Sequence, residues 1–300
     1  MEIHEVLKLF RKQMDFTQKE ILTNFDPSVY SRIENGKQEL KITDLKKIIN
    51  VLSLLPEEVF AMAPLDIEQQ EFKTLYLYCV QNLQDEIVKQ ELVNYFKELS
   101  NKNKNLRELS NYFAIQCYFS QLWDEIDEVK LEELENIYSL MSGKKDYQHY
   151  DYIIIRNAMK FLKKEKADVL IQKIFLTEVQ QTIKVNDSFY YILLNAITSR
   201  IYEKEYYLAR KYIYLAKKND KVRKDFHYQT HLKYLENLLD YVNIGDYQYI
   251  QRIQEYIHLL KDIGDIDLAD QISTDVKLVL AGMDEHIDKK DFPVVFVKHN

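Results

Sequence analysis

The sequence predicts an all-α protein built in two parts. Three observations carry that prediction. Only five glycines and four prolines occur in 300 residues, too few for a loop-rich β protein, while 46% hydrophobic residues suffice for a real core. The prolines stand at 27, 56, 64 and 293, leaving Leu65 to Phe292 free of a residue that helix interiors exclude. Apolar residues recur at three- and four-residue steps along most of the chain. The length itself suits two domains.

The first 65 residues divide into five short helices. From Glu2 to Lys12, Ile3, Val6, Leu7 and Phe10 form one apolar face, and Arg11 and Lys12 close the last turn, where cations suit the helix dipole. Thr17 with Glu20 three residues on is a capping box that opens a second helix at "TQKEIL". Asp26 as a cap and Pro27 at the first helical position open a third in "DPSVYSRIE", and Asn35-Gly36 stops it. Thr43 caps a fourth, whose buried stripe is Leu45, Ile48, Ile49 and Leu52, and "PEEVFAM" is the fifth. Five such helices, the second and third joined tightly, describe a lambda-repressor-like helix-turn-helix (HTH) domain over residues 1–65.

Docking of such a domain assigns roles. Gln18, at the start of the second helix, brings its amide and the helix N-terminus to a phosphate. Ser28, Val29 and Tyr30 face the major groove, where hydroxyls and apolar groups read base edges, and Arg32 and Lys37 meet phosphates. Cations and acids nearly balance in this region, so one copy binds weakly and specific binding calls for two copies on two half-sites.

The run Arg11-Lys12, Thr17-Gln18, Ser31-Arg32-Ile33-Glu34-Asn35-Gly36-Lys37 resembles the signature of XRE-type DNA-binding domains. The resemblance covers about a fifth of the chain. It counts Thr17 beside Gln18 among the DNA-contacting positions, and it implies that Glu34 pairs with Arg11 as a structural pair. From Thr17 to Glu34 this chain is shorter than the usual pattern and lacks the common small residue and glycine in the turn.

After "MAPLD", residues 66–287 read as helix after helix. Phe189, Ile192, Leu193, Ala196, Ile197 and Ile201 follow helical spacing, as do Leu232, Leu235, Leu238, Leu239 and Val242. Gly245-Asp246 and Gly264-Asp265 separate helices, and helical pairs restart near Tyr147, Ser188 and Tyr228, spacings close to 40 residues. Hairpins repeating at that length predict a TPR-like superhelix with a concave face, a surface that suits extended peptides. "YYLARKYIYLAKK" resembles the second helix of a tetratricopeptide repeat. Polar residues inside apolar helices are the candidate peptide-binding groups: Arg156, Asn157, Asn195 and Asn237. An Asn amide can grip both the N–H and the C=O of a peptide; the alternative is that each bonds a neighbouring helix. The tail, 288–300, holds the one strand-like segment, "DFPVVFVKHN", whose apolar residues call for cover from the last helices, the groove or a second subunit.

Other chemistry is not predicted. Cys79 and Cys117 lie in apolar helical pattern without CxxC spacing, as core thiols in a reducing compartment. His227 and His231 share a helix face, but Tyr228 stands where a zinc protease carries Glu. No phosphate-binding loop or nucleophile motif occurs, so neither an enzyme nor a cofactor is expected. A net charge of −7 argues against indiscriminate coating of nucleic acid. The opening residues do not resemble a signal peptide and no run has the length of a membrane span, which together predict a cytoplasmic protein without membrane contact.

In length and layout the whole chain resembles the Rgg/GadR/MutR regulators and the related PrgX-type proteins. That resemblance implies a dimeric quorum-sensing transcription regulator whose repeat domain receives a short peptide pheromone while its paired HTH domains hold promoter DNA. The competing reading is an interaction scaffold whose N-terminal domain no longer reads DNA.

Overall fold

The structure, a computed structural model, describes residues 1–21, 27–175, 187–219 and 226–281. Among these every regular element is helical. Residues 22–26, with the expected cap Asp26, and the tail from 282 onward lie outside the described residues. The chain separates into two compact units, Met1–Gln81 and Asn82–Asn300.

The first unit contains α1 (Ile3–Gln13), α2 (Gln18–Ile21), α3 (Pro27–Glu34), α4 (Ile42–Val51), α5 (Pro56–Met62) and α6 (Ile67–Gln81). Its core gathers Val6 and Leu7 of α1, Ile21 of α2, Tyr30 of α3, Ile48 and Ile49 of α4 and Val59 of α5. Each buried aliphatic side chain there contributes roughly 1.5–3 kcal/mol. The Thr17–Glu20 box forms: the Thr17 N–H donates to Glu20 Oε2 at 2.7 Å and the Glu20 N–H to Thr17 Oγ1 at 3.4 Å. Thr43 does not cap the fourth helix. That helix begins two residues earlier, with extended Lys41 at the cap and Thr43 in the first turn.

The second unit contains α7 (Glu86–Ser100), α8 (Leu106–Phe119), α9 (Leu131–Gly143), α10 (His149–Ala158), α11 (Lys164–Phe175), α12 (Asp187–Tyr202), α13 (Tyr206–Asn219), α14 (Phe226–Ile244), α15 (Gln248–Asp262) and α16 (Ile266–Ala281). The even helices α8, α10, α12 and α14 pack in succession as one layer. On it rest α9 and α11, which also touch each other, and α13, which bridges α12 and α14; α15 packs between α14 and α16. This is a stack of helical hairpins, with the expected restarts at α10, α12 and α14. α12 is buried from Ser188 to Tyr202 on every side, as an apolar-all-round helix must be. α14 and α15 end at Ile244 and Asp262, just before the two glycine-aspartate turns. Cys79 and Cys117 are buried and in no disulfide, and burial raises the Cys117 thiol above its ordinary pKa.

Candidate nucleic-acid interface and buried amide ladder

In the first unit the short helix α3 is fixed by a charge network. Glu34, the last residue of α3, accepts from Arg11 Nε and, at 3.1 Å, from Arg11 Nη2, while Arg11 Nη1 donates to the Phe16 carbonyl at 2.7 Å. Gln18 Nε2 donates to Glu34 Oε2 at 2.7 Å. One carboxylate thus ties the ends of α1, α2 and α3 together. Burial alone raises a carboxyl pKa, but the bonds from Arg11 and Gln18 and the guanidinium charge outweigh it and hold Glu34 below its ordinary value. The same hydrogen bonding raises Arg11.

α3 stops at Asn35-Gly36. Asn35 Nδ2 donates to the Ser31 carbonyl at 2.7 Å, and Lys8 Nζ donates to Asn35 Oδ1 at 3.1 Å. Gly36 has φ +67°, a backbone conformation that calls for glycine, and a Cβ there would also lie 3.0 Å from His4 Nε2, so that ring would have to shift.

This geometry corrects one expected contact and changes a second. Tyr30 is 0% exposed and belongs to the core, with its hydroxyl beside Glu34 and Arg11, so it does not face the groove. Gln18 remains partly exposed, but its amide nitrogen is held by Glu34 and not directed to a phosphate. Ser28, Arg32, Lys37 and Thr17 are exposed and Val29 is half-buried. The exposed residues of α3 and its flanks are therefore polar and cationic, with Ser28 and Val29 at the start of the helix.

In the second unit the four expected peptide contacts are all buried. Three of them form one group: Asn195 Nδ2 of α12 donates to the Arg156 carbonyl of α10 at 3.1 Å, and Arg156 Nε reaches Asn157 Oδ1 at 3.4 Å. They stitch α10 to α12, the bond between neighbouring helices that was the competing reading for each. Asn237 lies on α14, and its Oδ1 has no hydrogen-bond partner among the described residues. A fifth residue, not anticipated, completes the series. Gln116 of α8 is buried, donates through Nε2 to Glu133 Oε2 at 3.3 Å, and leaves Oε1 without a partner among the described residues. Gln116, Asn157, Asn195 and Asn237 thus place a buried carboxamide on each of α8, α10, α12 and α14 at spacings of 41, 38 and 42 residues, close to the repeat, and α8 carries a second in Asn111. That spacing was the signal that could have found Gln116. A buried amide oxygen lacking a donor costs about 1–3 kcal/mol, so a ligand N–H that reached it would recover that energy.

Among the described residues no cluster of His, Cys, Asp and Glu could hold a metal ion, and no helix is long and apolar enough to cross a membrane.

Comparison with known proteins defines the class first. Residues 7–59 match the helix-turn-helix family model, so the first unit is an HTH domain of the XRE type. None of the curated proteins gives a match. Solved structures then define the fold of the whole chain. It superposes on the PrgX/cCF10 complex with a TM-score of 0.80 and 16% identity, covering 99% of this chain and 97% of that one. A bacterial peptide pheromone/receptor complex gives 0.77 at 17% identity, covering 93% and 98%. The SHP pheromone receptor Rgg2 of Streptococcus dysgalactiae gives 0.69 at 12%, covering 92% and 99%. The chain is thus PrgX- and Rgg2-like in fold: an HTH domain followed by helical repeats.

Proposed function

We propose that this protein is a dimeric, DNA-binding transcription regulator whose helical-repeat domain binds a short signalling peptide. Residues 1–65 form the reader, residues 66–287 the peptide-binding and dimerising part, and 288–300 a tail. The observation that carries the reading is the joining, in one chain, of an HTH domain to a repeat domain with the fold of pheromone receptors. The buried amide oxygens of Gln116 and Asn237, which lack a donor among the described residues, support it, because a peptide N–H that reached one would satisfy it.

Thr17, Ser28, Val29, Arg32 and Lys37 contact the duplex, with Arg11 and Glu34 as the lock that orients α3. Of the four polar candidates, Asn237, whose Oδ1 has no hydrogen-bond partner among the described residues, is the one proposed to hold the peptide, while Arg156, Asn157 and Asn195 brace α10 against α12. The device is a population shift. Peptide binds one arrangement of the paired readers better than the other and changes DNA affinity by that difference. The protein acts in the cytoplasm without a cofactor.

The test selects binding duplexes from a random pool with the purified protein, then titrates a library of fluorescent hydrophobic heptapeptides with and without the selected duplex. A peptide that binds saturably, shifts duplex affinity, and loses affinity at least tenfold on Asn237→Ala supports the proposal. Failure to enrich any duplex contradicts the regulator reading, and absence of saturable binding across the library contradicts the peptide part.

A further inference from the structure

Three acids are buried among the described residues, Glu34, Asp151 and Asp275. Glu34 has Arg11 as its cation and Asp151 has Lys144. Asp275 has none. It lies where three helices of the stack meet, on α16, and accepts from Tyr202 of α12 at 2.9 Å and from Tyr234 of α14 at 3.3 Å. α15, on which α16 packs, buries only Ile250, Ile253, Ile257 and Leu260. A carboxylate offers about four lone-pair sites, and the two hydroxyls occupy two of them. Burial without a cation disfavours the charged form, and Asp275 is raised to about 7. Once ionised, a carboxylate held out of water calls for a positive partner.

The helical neighbours of the two tyrosines are buried groups with spare bonding capacity. On α14, Asn237 stands three residues beyond Tyr234 and its Oδ1 has no partner among the described residues. His231 stands three residues before Tyr234, its ring edge-on to that tyrosine at 5.5 Å, and its Nε2 is likewise without a partner. On α12, Ser199 stands three residues before Tyr202 with an unpartnered Oγ. Side chains three apart on a helix are neighbours, so these groups flank the junction from both helices. Burial lowers His231 to about 4, so its imidazole is neutral and adds no positive charge. The junction thus gathers a carboxylate, an amide oxygen, a hydroxyl and a neutral imidazole. The described residues bring no three His, Cys, Asp or Glu together here to hold a metal ion. An ammonium group brings the missing charge together with three N–H donors.

We propose that the junction of α12, α14 and α16 is the subsite for the amino terminus of the bound peptide, whose ammonium pairs with Asp275 and donates to the Asn237 amide oxygen. The inference rests on the peptide-binding reading above and gives the peptide a direction, with its first residue at α16 and the rest running along the even helices away from it. The ammonium enters between α16 and the α12–α14 layer, where the tie to be loosened is the pair of tyrosine hydroxyls on Asp275. Because the ammonium pairs only with the ionised carboxylate, binding strengthens as Asp275 loses its proton. Tyr202, Tyr234 and, behind Tyr234, His231 are the titratable groups that face it, and none of them is charged at neutral pH.

The test uses a library of hydrophobic heptapeptides without Lys or Arg, each carrying its fluorophore at the carboxyl end. Every peptide is made twice, with a free amino terminus and N-acetylated, and titrated into the full chain at about pH 7. Free-amine peptides that bind saturably should bind at least tenfold more tightly than their acetylated twins. Asp275→Asn keeps the side-chain shape and leaves both tyrosines within bonding reach, and circular dichroism checks its fold. In that variant the free-amine peptide should fall to the level of its acetylated twin, so that acetylation has no further effect. Lowering the pH to about 5.5 should weaken the free-amine peptide roughly tenfold in the parent chain and leave the variant unchanged. Equal binding of the twins overturns the subsite while leaving the peptide reading in place, and so does an Asp275→Asn variant that weakens both twins by the same factor. Absence of saturable binding in both sets overturns the peptide reading and the subsite with it.

Discussion

Replacing Glu34 by alanine should unlock α3, the helix proposed to read DNA, and the network gives the size of the effect. The change removes both acceptors of Arg11 and the acceptor of Gln18, leaving the guanidinium with only the Phe16 carbonyl. Breaking a buried ion pair from one side costs about 3–5 kcal/mol. The Arg11 side chain is 12% exposed, so water relieves part of this and about 3 kcal/mol is expected. Hydrogen exchange read at the α1 and α3 amides isolates the first unit, and 3 kcal/mol corresponds to roughly a hundredfold loss of protection. The variant Arg11→Met/Glu34→Leu, which removes the pair together, should lie within about 1 kcal/mol of the parent chain. The Glu34 pKa is depressed, so its contribution is fully present above the ordinary carboxylate range and is lost as pH falls through the folded value. The added opening at acidic pH should vanish in the double variant. Protection changed less than threefold by Glu34→Ala would refute the claim that this carboxylate fixes α3.

Further expectations concern other sites. Asp275 of α16 is buried, with Tyr202 donating at 2.9 Å and Tyr234 at 3.3 Å. Burial raises it to about 7 against the bonds from those two hydroxyls. A raised acid binds its proton more tightly in the folded state, so the second unit should lose stability as pH climbs from about 4 to about 7 and level off above. Asp275→Asn should flatten that slope in thermal unfolding; an unchanged slope would assign it to other groups. Arg32→Ala and Lys37→Ala should each reduce the slope of log K against log salt by about 0.9 without changing the preferred duplex, and altered preference would make them base readers. Tyr30→Phe keeps the buried ring and should leave duplex preference untouched, whereas Tyr30→Ala should destabilise the first unit by about 3–5 kcal/mol in the same exchange assay. Asn195→Ala leaves the Arg156 carbonyl without its donor and should lower second-unit stability by about 1–2 kcal/mol in urea unfolding; a neutral result would deny the stitch between α10 and α12.

Much of this was legible in the residues because local chemistry and global fold agree. The Thr17–Glu20 box, the stop at Asn35-Gly36 and the restarts at α10, α12 and α14 are local signals, and each forms as read. The Arg11–Glu34 pair, implied by resemblance, is present. Tyr30 was misplaced because a helix of eight residues has too little periodicity to show which face is inward. Its spacing of three from Ile33, also buried, was the available clue. Gln18 was read as a phosphate ligand because no periodicity reveals that a carboxylate sixteen residues away takes its amide. The Asn and Arg side chains of the repeats were found as polar interruptions of apolar helices, but how they bond depends on which helices become neighbours. Asp275, whose partners lie 73 and 41 residues away, was missed for the same reason.

The central claim is that α3 and the residues at its end present a cationic face to duplex DNA, held in place by Glu34. Fluorescence anisotropy of a selected duplex titrated with the parent chain, Arg32→Ala/Lys37→Ala and Arg11→Met/Glu34→Leu measures it most directly. The account predicts that the first variant binds at least thirtyfold more weakly at moderate salt, and that the second folds but loses its preference for the selected duplex over a scrambled one. Equal affinity and equal preference in all three proteins would contradict it.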